Sequence, residues 1–336
     1  MKNSKKFSLS KPFSHIYVEK EVISHHITQE ILKKFTHSKV IPINHYKEVF
    51  SRPRQSYKLQ ELSKKLILAK RRDTFLSPAS PLCQNFGYHY FYYTNLIINC
   101  IFNCDYCFLK GMYSSANIVI FVNIEDYFQE IENMLKKHPL YLSISYETDL
   151  LAMEGIAPFF SQFVNFTYSK EDLILEVRTK SVNYMVLKSL KPSPNVILAW
   201  TLLPQEIIER FEPQTPRLPI RINTIKKAIH DGWRVRLSFD PIIFVEDWRE
   251  IYERFIDYVF RKIPSSQIQD ISVGVFRIPK EYLKKMRKTF ENEITLFPYI
   301  EDKEAYTYPS PIKEELLNFI ISKIKNYIPE NKIFTI

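Results

Sequence analysis

The spacing of apolar and polar positions changes several times along this chain, and each change marks an element. Runs that alternate, or that are apolar and rich in β-branched and aromatic residues, predict strands at 88–98 (YHYFYYTNLII), 140–146 (LYLSISY), 173–178 (LILEVR), 196–202 (VILAWTL), 234–239 (RVRLSF) and 268–276. Between them, the helical recurrence of apolar residues predicts helices near 158–167, 182–190, 218–230, 247–261 and 280–289. A further extended run at 118–122 (IVIFV) precedes a helix over 125–137, with Asn123 as its expected cap. Six strand–helix units in succession imply parallel strands and right-handed crossovers, hence an α/β fold built as a curled barrel or an open doubly wound sheet.

The flanks read differently. Ahead of the units lie an expected strand at 15–19 (HIYVE), a helix with Thr28 as cap and Glu30 and Ile31 in its first turn, a strand at 39–43 (KVIPI) ending at a proline, and a stretch over 58–69 that alternates charge with leucine. Behind them come Tyr306 and Tyr308, then an amphipathic helix over 312–328 preceded by Pro309 and Pro311. The expected organisation is an N-terminal α/β extension (1–80), a barrel core (81–295) and a C-terminal helical cap (296–336). No fixed-period repeat or low-complexity segment is visible.

Composition narrows the function. With 336 residues and 45% hydrophobic content the chain is long and apolar enough for a substantial core. It has no run of about 18 uncharged apolar residues, and residues 1–12 are rich in lysine and serine without an apolar stretch, so a cytoplasmic protein with no membrane association is expected. Five glycines leave no G-x-G-x-x-G or G-x4-G-K-[ST], which argues against dinucleotide and P-loop sites. The formal net charge of +10 makes a polyanion such as nucleic acid a natural partner, although lysines on solvated faces give the same count. The run Lys64, Lys65, Lys70, Arg71 and Arg72 carries the same two readings.

Three of the four cysteines fall in one stretch, Cys100, Cys104 and Cys107, spaced C-x3-C-x2-C. Such bunching is unlike a secreted disulfide framework and suits a reducing compartment. Three thiolates can each take one iron of a cubane cluster and leave the fourth iron open to a chelating ligand. Two other readings compete: a helix with three buried cysteines on one face, although Asn103 and Asp105 interrupt its apolar pattern, and a zinc site with Cys83 or His89 as fourth ligand.

The spacing, followed by an aromatic residue, resembles the signature of radical S-adenosylmethionine enzymes. Further strings, in order, resemble the spore photoproduct lyase family of DNA repair enzymes: CDYCFLKGMY with IVIFVNIED, SYETDLLAMEG, RTKS, ILAWTLLP, LSFDPIIFVEDW and GVFRIPKEYLKKM, from about Leu66 to Tyr308. The resemblance implies a partial (β/α)6 radical-SAM barrel, a [4Fe-4S] cluster on Cys100, Cys104 and Cys107, and S-adenosylmethionine contacted by Tyr106, Thr148, Lys180 and Thr201. It implies reductive cleavage of S-adenosylmethionine to a 5'-deoxyadenosyl radical, used to repair thymine dimer lesions in DNA, with a flavodoxin- or ferredoxin-type reductant. It places Arg277, Lys280 and Lys284, with Lys285 and Arg287 nearby, against DNA, and Tyr306 and Tyr308 beside the lesion.

The side chains suit these roles: an ammonium for a carboxylate at Lys180, hydroxyl donors at Thr148 and Thr201, an aromatic face at Tyr106. Two positions depart from the family pattern. Tyr146 stands where a hydrogen-donating cysteine is usual, and Phe108 where a tyrosine is usual. Tyr146 and Tyr106 are therefore the candidate catalytic side chains, with Cys83 as a thiol that could reach in. A radical enzyme acting on RNA or a small molecule, and a non-enzymatic metal-bearing DNA-binding module, are the alternative functions.

Overall fold

Period-two alternation builds the largest sheet in the computed structural model, which describes residues 13–336. Its strands lie in the order Ile333–Thr335, Asp270–Val275, Arg234–Ile242, Val196–Thr201, Leu173–Thr179, Leu140–Ser143, Phe91–Tyr93 and Ser77–Pro78. All pairs are parallel except the last, and the sheet curls into a half-barrel. Of the two α/β forms left open by the strand–helix alternation, the curled one forms, as the family resemblance implies.

The two faces of that sheet have different chemistry. One face carries Leu142, Leu175, Val177, Leu198, Trp200, Val235, Leu237, Ile271 and Val273, all inaccessible to solvent, under the crossover helices. Helix Leu218–His230 contributes Leu218, Ile222, Ile225 and Ala228 to this layer, and Trp248–Lys262 contributes Tyr252, Phe255, Ile256 and Val259. The opposite, concave face is polar. Register places Ser143 beside Glu176, Ala199 beside Arg236, Arg236 beside Asp270 and Ser238 beside Ser272.

Arg236 holds this interior together. It is 1% exposed and binds Asp270 through both carboxylate oxygens, Glu176 at 2.6 Å and the Tyr141 hydroxyl, with its guanidinium 3.2 Å from the centre of the Phe86 ring. Phe86 and Tyr88 pack on Tyr141 and close the bottom of the half-barrel. Every buried charge there has a partner, as a low-dielectric interior requires.

Several boundaries differ from the sequence expectation. The run at 88–98 is two strands in two sheets: Phe91–Tyr93 joins the large sheet, and Ile97–Ile98 pairs antiparallel with Ile118–Phe121. The latter two complete a five-stranded sheet with Lys39–Ile43, His15–Glu19 and Leu66–Ala69, so this sheet draws on residues on both sides of position 80. Cross-strand pairing, which local alternation does not encode, makes the division.

Thr28 does not cap its helix. The helix starts at His26, the His25 ring accepts from the Ile27 amide, and Thr28 is buried inside it. Asn123 does stand at the N-cap of Ile124–Leu135, but its side chain makes no cap bond: it donates to Asp126 and the Arg71 carbonyl and accepts from the Arg71 amide, sewing two loops together. The C-terminal stretch is more than a helical cap, because Ser310–Lys325 is followed by the strand Ile333–Thr335 at the sheet edge. Arg277–Pro279, Ala305–Thr307 and Ile300–Asp302 form a small antiparallel sheet.

A candidate radical S-adenosylmethionine site

The cysteine segment is a loop, not a helix. It runs from Ile97–Ile98 to helix Leu109–Met112, so the reading of three cysteines on one helical face falls away. Three kinds of contact hold it. The Asn99 amide donates to the carbonyls of Ser115 and Asn117, the Asp105 amide donates to the Phe211 carbonyl at 2.9 Å, and the Cys107 amide donates to the Cys104 carbonyl at 3.2 Å. Helix Leu109–Met112 then seats against Lys280–Arg287 at Gly111, where any Cβ would run into the Tyr282 backbone, so only glycine allows the approach.

Strand ends bring the remaining side chains to the loop. A cavity of about 440 Å³ is lined by Cys100, Cys104, Cys107, Tyr106, Thr148, Lys180 and Thr201, the positions picked out for cluster and cosubstrate. Alternation explains why Glu176, Arg178 and Lys180 face it from one strand and its extension. Asp149 fixes the junction: its carboxylate accepts from the Ala152 amide, the Thr179 hydroxyl and the Lys180 amide, locking two strand ends together.

Lys180 and Tyr106 are set by a residue that the sequence did not single out. Glu212 accepts from the Tyr106 hydroxyl and from Arg221, and lies 3.9 Å from the Lys180 ammonium. Glu212 is 1% exposed and Arg221 is fully buried, with Arg221 also donating to the Thr201 carbonyl at 3.0 Å. Burial alone would raise the Glu212 carboxyl, but Arg221 and then Lys180 outweigh it and hold it below its ordinary value. No sequence signal links positions 106 and 212; only helix Gln205–Phe211, docked on the loop, does so.

The residues fit an open-cornered cluster. All three cysteines are free, and burial raises two of their thiols, that of Cys100 to about 11 and that of Cys104 upward as well. Neutral thiols in such a hollow become ligands on losing their protons to a metal. Among the described residues no three His, Cys, Asp or Glu side chains converge on a single ion. One zinc ion needs its sulfurs within about 4 Å of each other, given Zn–S near 2.3 Å, whereas a cubane spreads its thiolates over separate irons. Of the two residues expected as a fourth zinc ligand, His89 does not line the cavity, while Cys83 lines it beside Tyr146. The Thr148 hydroxyl, buried and without a partner among the described residues, faces the same space, as a donor for a bound polar ligand would.

Tyr146, on the wall of the same cavity, lies tilted against Tyr93 (4.2 Å between ring centres) and Phe108 (5.6 Å). Its hydroxyl is a neighbour of the Cys83 thiol. Burial raises both groups, so both keep their hydrogens at neutral pH. Arg178 and Arg277 share Asp240 beside them, at 3.3 and 2.9 Å, and a Cβ at Gly274 would press on that pair.

The expected DNA-facing residues divide. Arg277 lines the cavity, while Lys280 pairs with Glu301, Lys284 pairs with Glu281 at 2.8 Å, and the Tyr306 hydroxyl lies 3.3 Å from Glu301. Tyr308 is only 1% exposed and accepts from the Phe244 amide, so it has no free face for a base. The basic run is also largely occupied: Lys64 donates to the Cys100 carbonyl at 2.7 Å, Arg71 to the carbonyls of Asp73 and Thr74, and Arg72 to Glu19 and Glu21. No helix among the described residues is long and apolar enough to cross a membrane.

Glu147, next to Tyr146, gives a stability prediction. It is 1% exposed, and burial pushes its carboxyl up from 4.5 to about 7, only partly offset by the Tyr113 hydroxyl and Arg71. A carboxyl whose folded pKa is raised adds stability below its unfolded pKa and loses it as pH rises through the folded one. Stability should therefore fall by about 3 kcal/mol between pH 4.5 and pH 8 from this group. Chemical denaturation across that range should show the slope, and Glu147→Gln should flatten it.

Comparison with known proteins agrees with this geometry. The family model for spore photoproduct lyase matches residues 12–335. A spore photoproduct lyase of Geobacillus sp. (strain Y412MC61) is 19% identical over 310 residues, covering 89% of this chain and 88% of its own. One from Clostridium acetobutylicum is 18% identical over 332 residues, covering 94% and 96%. A solved spore photoproduct lyase double mutant with bound AdoMet and dinucleoside spore photoproduct superposes with a TM-score of 0.81 at 18% identity, covering 97% of this chain and 99% of that one. That likeness establishes the fold, and the family match spans nearly every described residue; with the cysteine loop at the mouth of a half-barrel, the chain belongs to the spore photoproduct lyase family.

Proposed function

We propose that this chain repairs a pyrimidine dimer in DNA as a radical S-adenosylmethionine lyase, through the site just described. The carrying observation is the convergence of Cys100, Cys104, Cys107, Lys180, Thr148 and Thr201 on one cavity that also takes in the Cys83 thiol and Tyr146. When bound, the cluster and S-adenosylmethionine supply a carbon-centred radical able to take hydrogen from an unreactive C–H bond. The three thiolates would hold the cluster, the Lys180 ammonium would meet the cosubstrate's carboxylate, and Thr148 and Thr201 would hydrogen-bond its polar groups. Tyr106, fixed by Glu212, supports the loop from beneath and presents its ring 5.4 Å from the Lys180 ammonium.

The chain's own contribution to the later steps is a hydrogen atom. Once the dimer has opened, a substrate carbon radical needs one hydrogen, and Phe108 has none to give readily. The Cys83 S–H bond breaks, its hydrogen passes to carbon, and the thiyl left behind takes the hydrogen of the neighbouring Tyr146 hydroxyl, which re-forms S–H and leaves the unpaired electron on the Tyr146 oxygen. Arg277, Lys280, Lys284 and Tyr306 are proposed to meet DNA. The ion pairs of Lys280 and Lys284 with Glu301 and Glu281 face solvent and are weak, so phosphates can displace them.

The test is anaerobic incubation of iron-reconstituted protein with S-adenosylmethionine, dithionite and irradiated DNA, followed by chromatography. Dimer should disappear as thymine and 5'-deoxyadenosine appear. Release of 5'-deoxyadenosine with the dimers intact would point instead to RNA or a small molecule, and no release at all would leave only a metal-bearing binding module. Cys83→Ala should lower repaired product roughly tenfold while 5'-deoxyadenosine is still released. Full repair by that variant would remove Cys83 from the path.

A further inference from the structure

The short helix Tyr57–Glu61 is turned inside out. Its inward positions are polar or amphipathic: Gln60 accepts from the Ser115 hydroxyl and the Ala116 amide, Glu61 hydrogen-bonds Asn103 in the cysteine loop, and just beyond it Lys64 donates to the Cys100 carbonyl. Tyr57 is buried within electrostatic reach of the Cys107 and Cys100 thiols. Outward the helix shows Leu59 at 68% and, at its C-cap, Leu62 at 73% exposed, while most large apolar side chains described are buried. A helix that buries polar groups and shows leucine to water reverses the usual arrangement.

The rim around these leucines is basic. Arg52, Arg54 and Lys58 are exposed, while the one acidic residue of 51–65, Glu61, is turned inward. Behind this face lies the cysteine loop, about one helix diameter, roughly 10 Å, away. An apolar centre with a charged rim is the anatomy of a protein interface, whereas DNA-binding faces are more polar throughout.

We propose that this face docks a small acidic one-electron carrier protein, of the flavodoxin or ferredoxin kind, which delivers electrons through helix Tyr57–Glu61 to the group held by Cys100, Cys104 and Cys107. The inference rests on the radical S-adenosylmethionine reading above, in which each cosubstrate cleaved consumes one electron that no residue of this chain supplies. One electron leaves the reduced carrier, which is oxidised by one equivalent, and enters the site; no proton or group is transferred. The basic rim steers the acidic carrier and the two leucines fill its apolar contact, an arrangement suited to transient binding.

The experiment compares electron sources in the same reconstituted protein. Leu59→Asp combined with Leu62→Asp should raise the dissociation constants for a flavodoxin and a bacterial-type ferredoxin roughly tenfold and slow carrier-driven 5'-deoxyadenosine formation to match. Dithionite needs no docking face, so its rate should stay within about twofold of the parent. Arg54→Glu with Lys58→Glu, which leaves the leucines alone, should give the same split and should lessen the salt dependence of carrier binding. The proposal is overturned by unchanged carrier-driven rates, by dithionite-driven rates that fall in parallel in both variants, by a parent protein that binds neither carrier, or by loss of irradiated-DNA affinity in place of carrier affinity. A parent that fails to cleave S-adenosylmethionine even with dithionite would instead overturn the proposed function.

Discussion

Alanine at Cys104 should abolish reductive cleavage of S-adenosylmethionine while leaving the protein folded. Cys104 is 5% exposed at the centre of the loop, and its thiol is pushed up first by burial, with Lys180 the largest opposing influence. Removing one sulfur opens a space of methyl-group size, costing about 1–2 kcal/mol, well inside the 5–15 kcal/mol typical of a domain. The chemical loss is total by comparison, because two thiolates cannot seat a cubane on three irons. Iron and sulfide content should drop sharply, the visible absorbance of the reconstituted protein should fade, and 5'-deoxyadenosine should become undetectable, with far-ultraviolet circular dichroism unchanged. Retained cleavage in this variant would sink the assignment.

Glu212→Ala is the second large effect, and it acts on stability and site together. The carboxylate is the partner of Arg221, which is fully buried, and it also holds Tyr106 and faces Lys180. Deleting it strands a guanidinium in a medium that cannot solvate it, at a cost of about 3–5 kcal/mol. Urea denaturation should reveal that loss. Glu212→Gln keeps the hydrogen-bonding shape without the charge, so it should recover part of the stability but leave Lys180 less well placed. A dissociation constant for S-adenosylmethionine raised several-fold in the folded Glu212→Gln protein would mark a positioning role. Unaltered affinity would reduce Glu212 to a structural partner of Arg221.

The periodicity of the chain located the strands at 140–143, 173–179, 196–201, 234–242 and 270–275 because a parallel barrel strand carries its own pattern of buried positions. It also placed helix Leu218–His230 at the observed residues. The run at 88–98 misled because two strands of the same composition, separated by Thr94 to Leu96, enter different sheets, and the choice of partner is made by strands far away in sequence. Thr28 misled for a related reason, and Asn123 stands at the N-cap of its helix with its side chain spent elsewhere: a residue type able to cap a helix has other uses, and packing selected those.

The sequence by itself determined the chemistry at the loop. Three cysteines at fixed spacing, with a lysine and two threonines at strand ends, are local facts that survive any detail of packing. Only the tertiary structure decided what surrounds them: that Glu212 grips Tyr106 from 106 residues away, that Cys83 meets Tyr146, and that Tyr308 turns inward. Those are pairings between distant segments whose energies exist only once the half-barrel has closed, and no periodicity along the chain records which distant side chains will share a buried space.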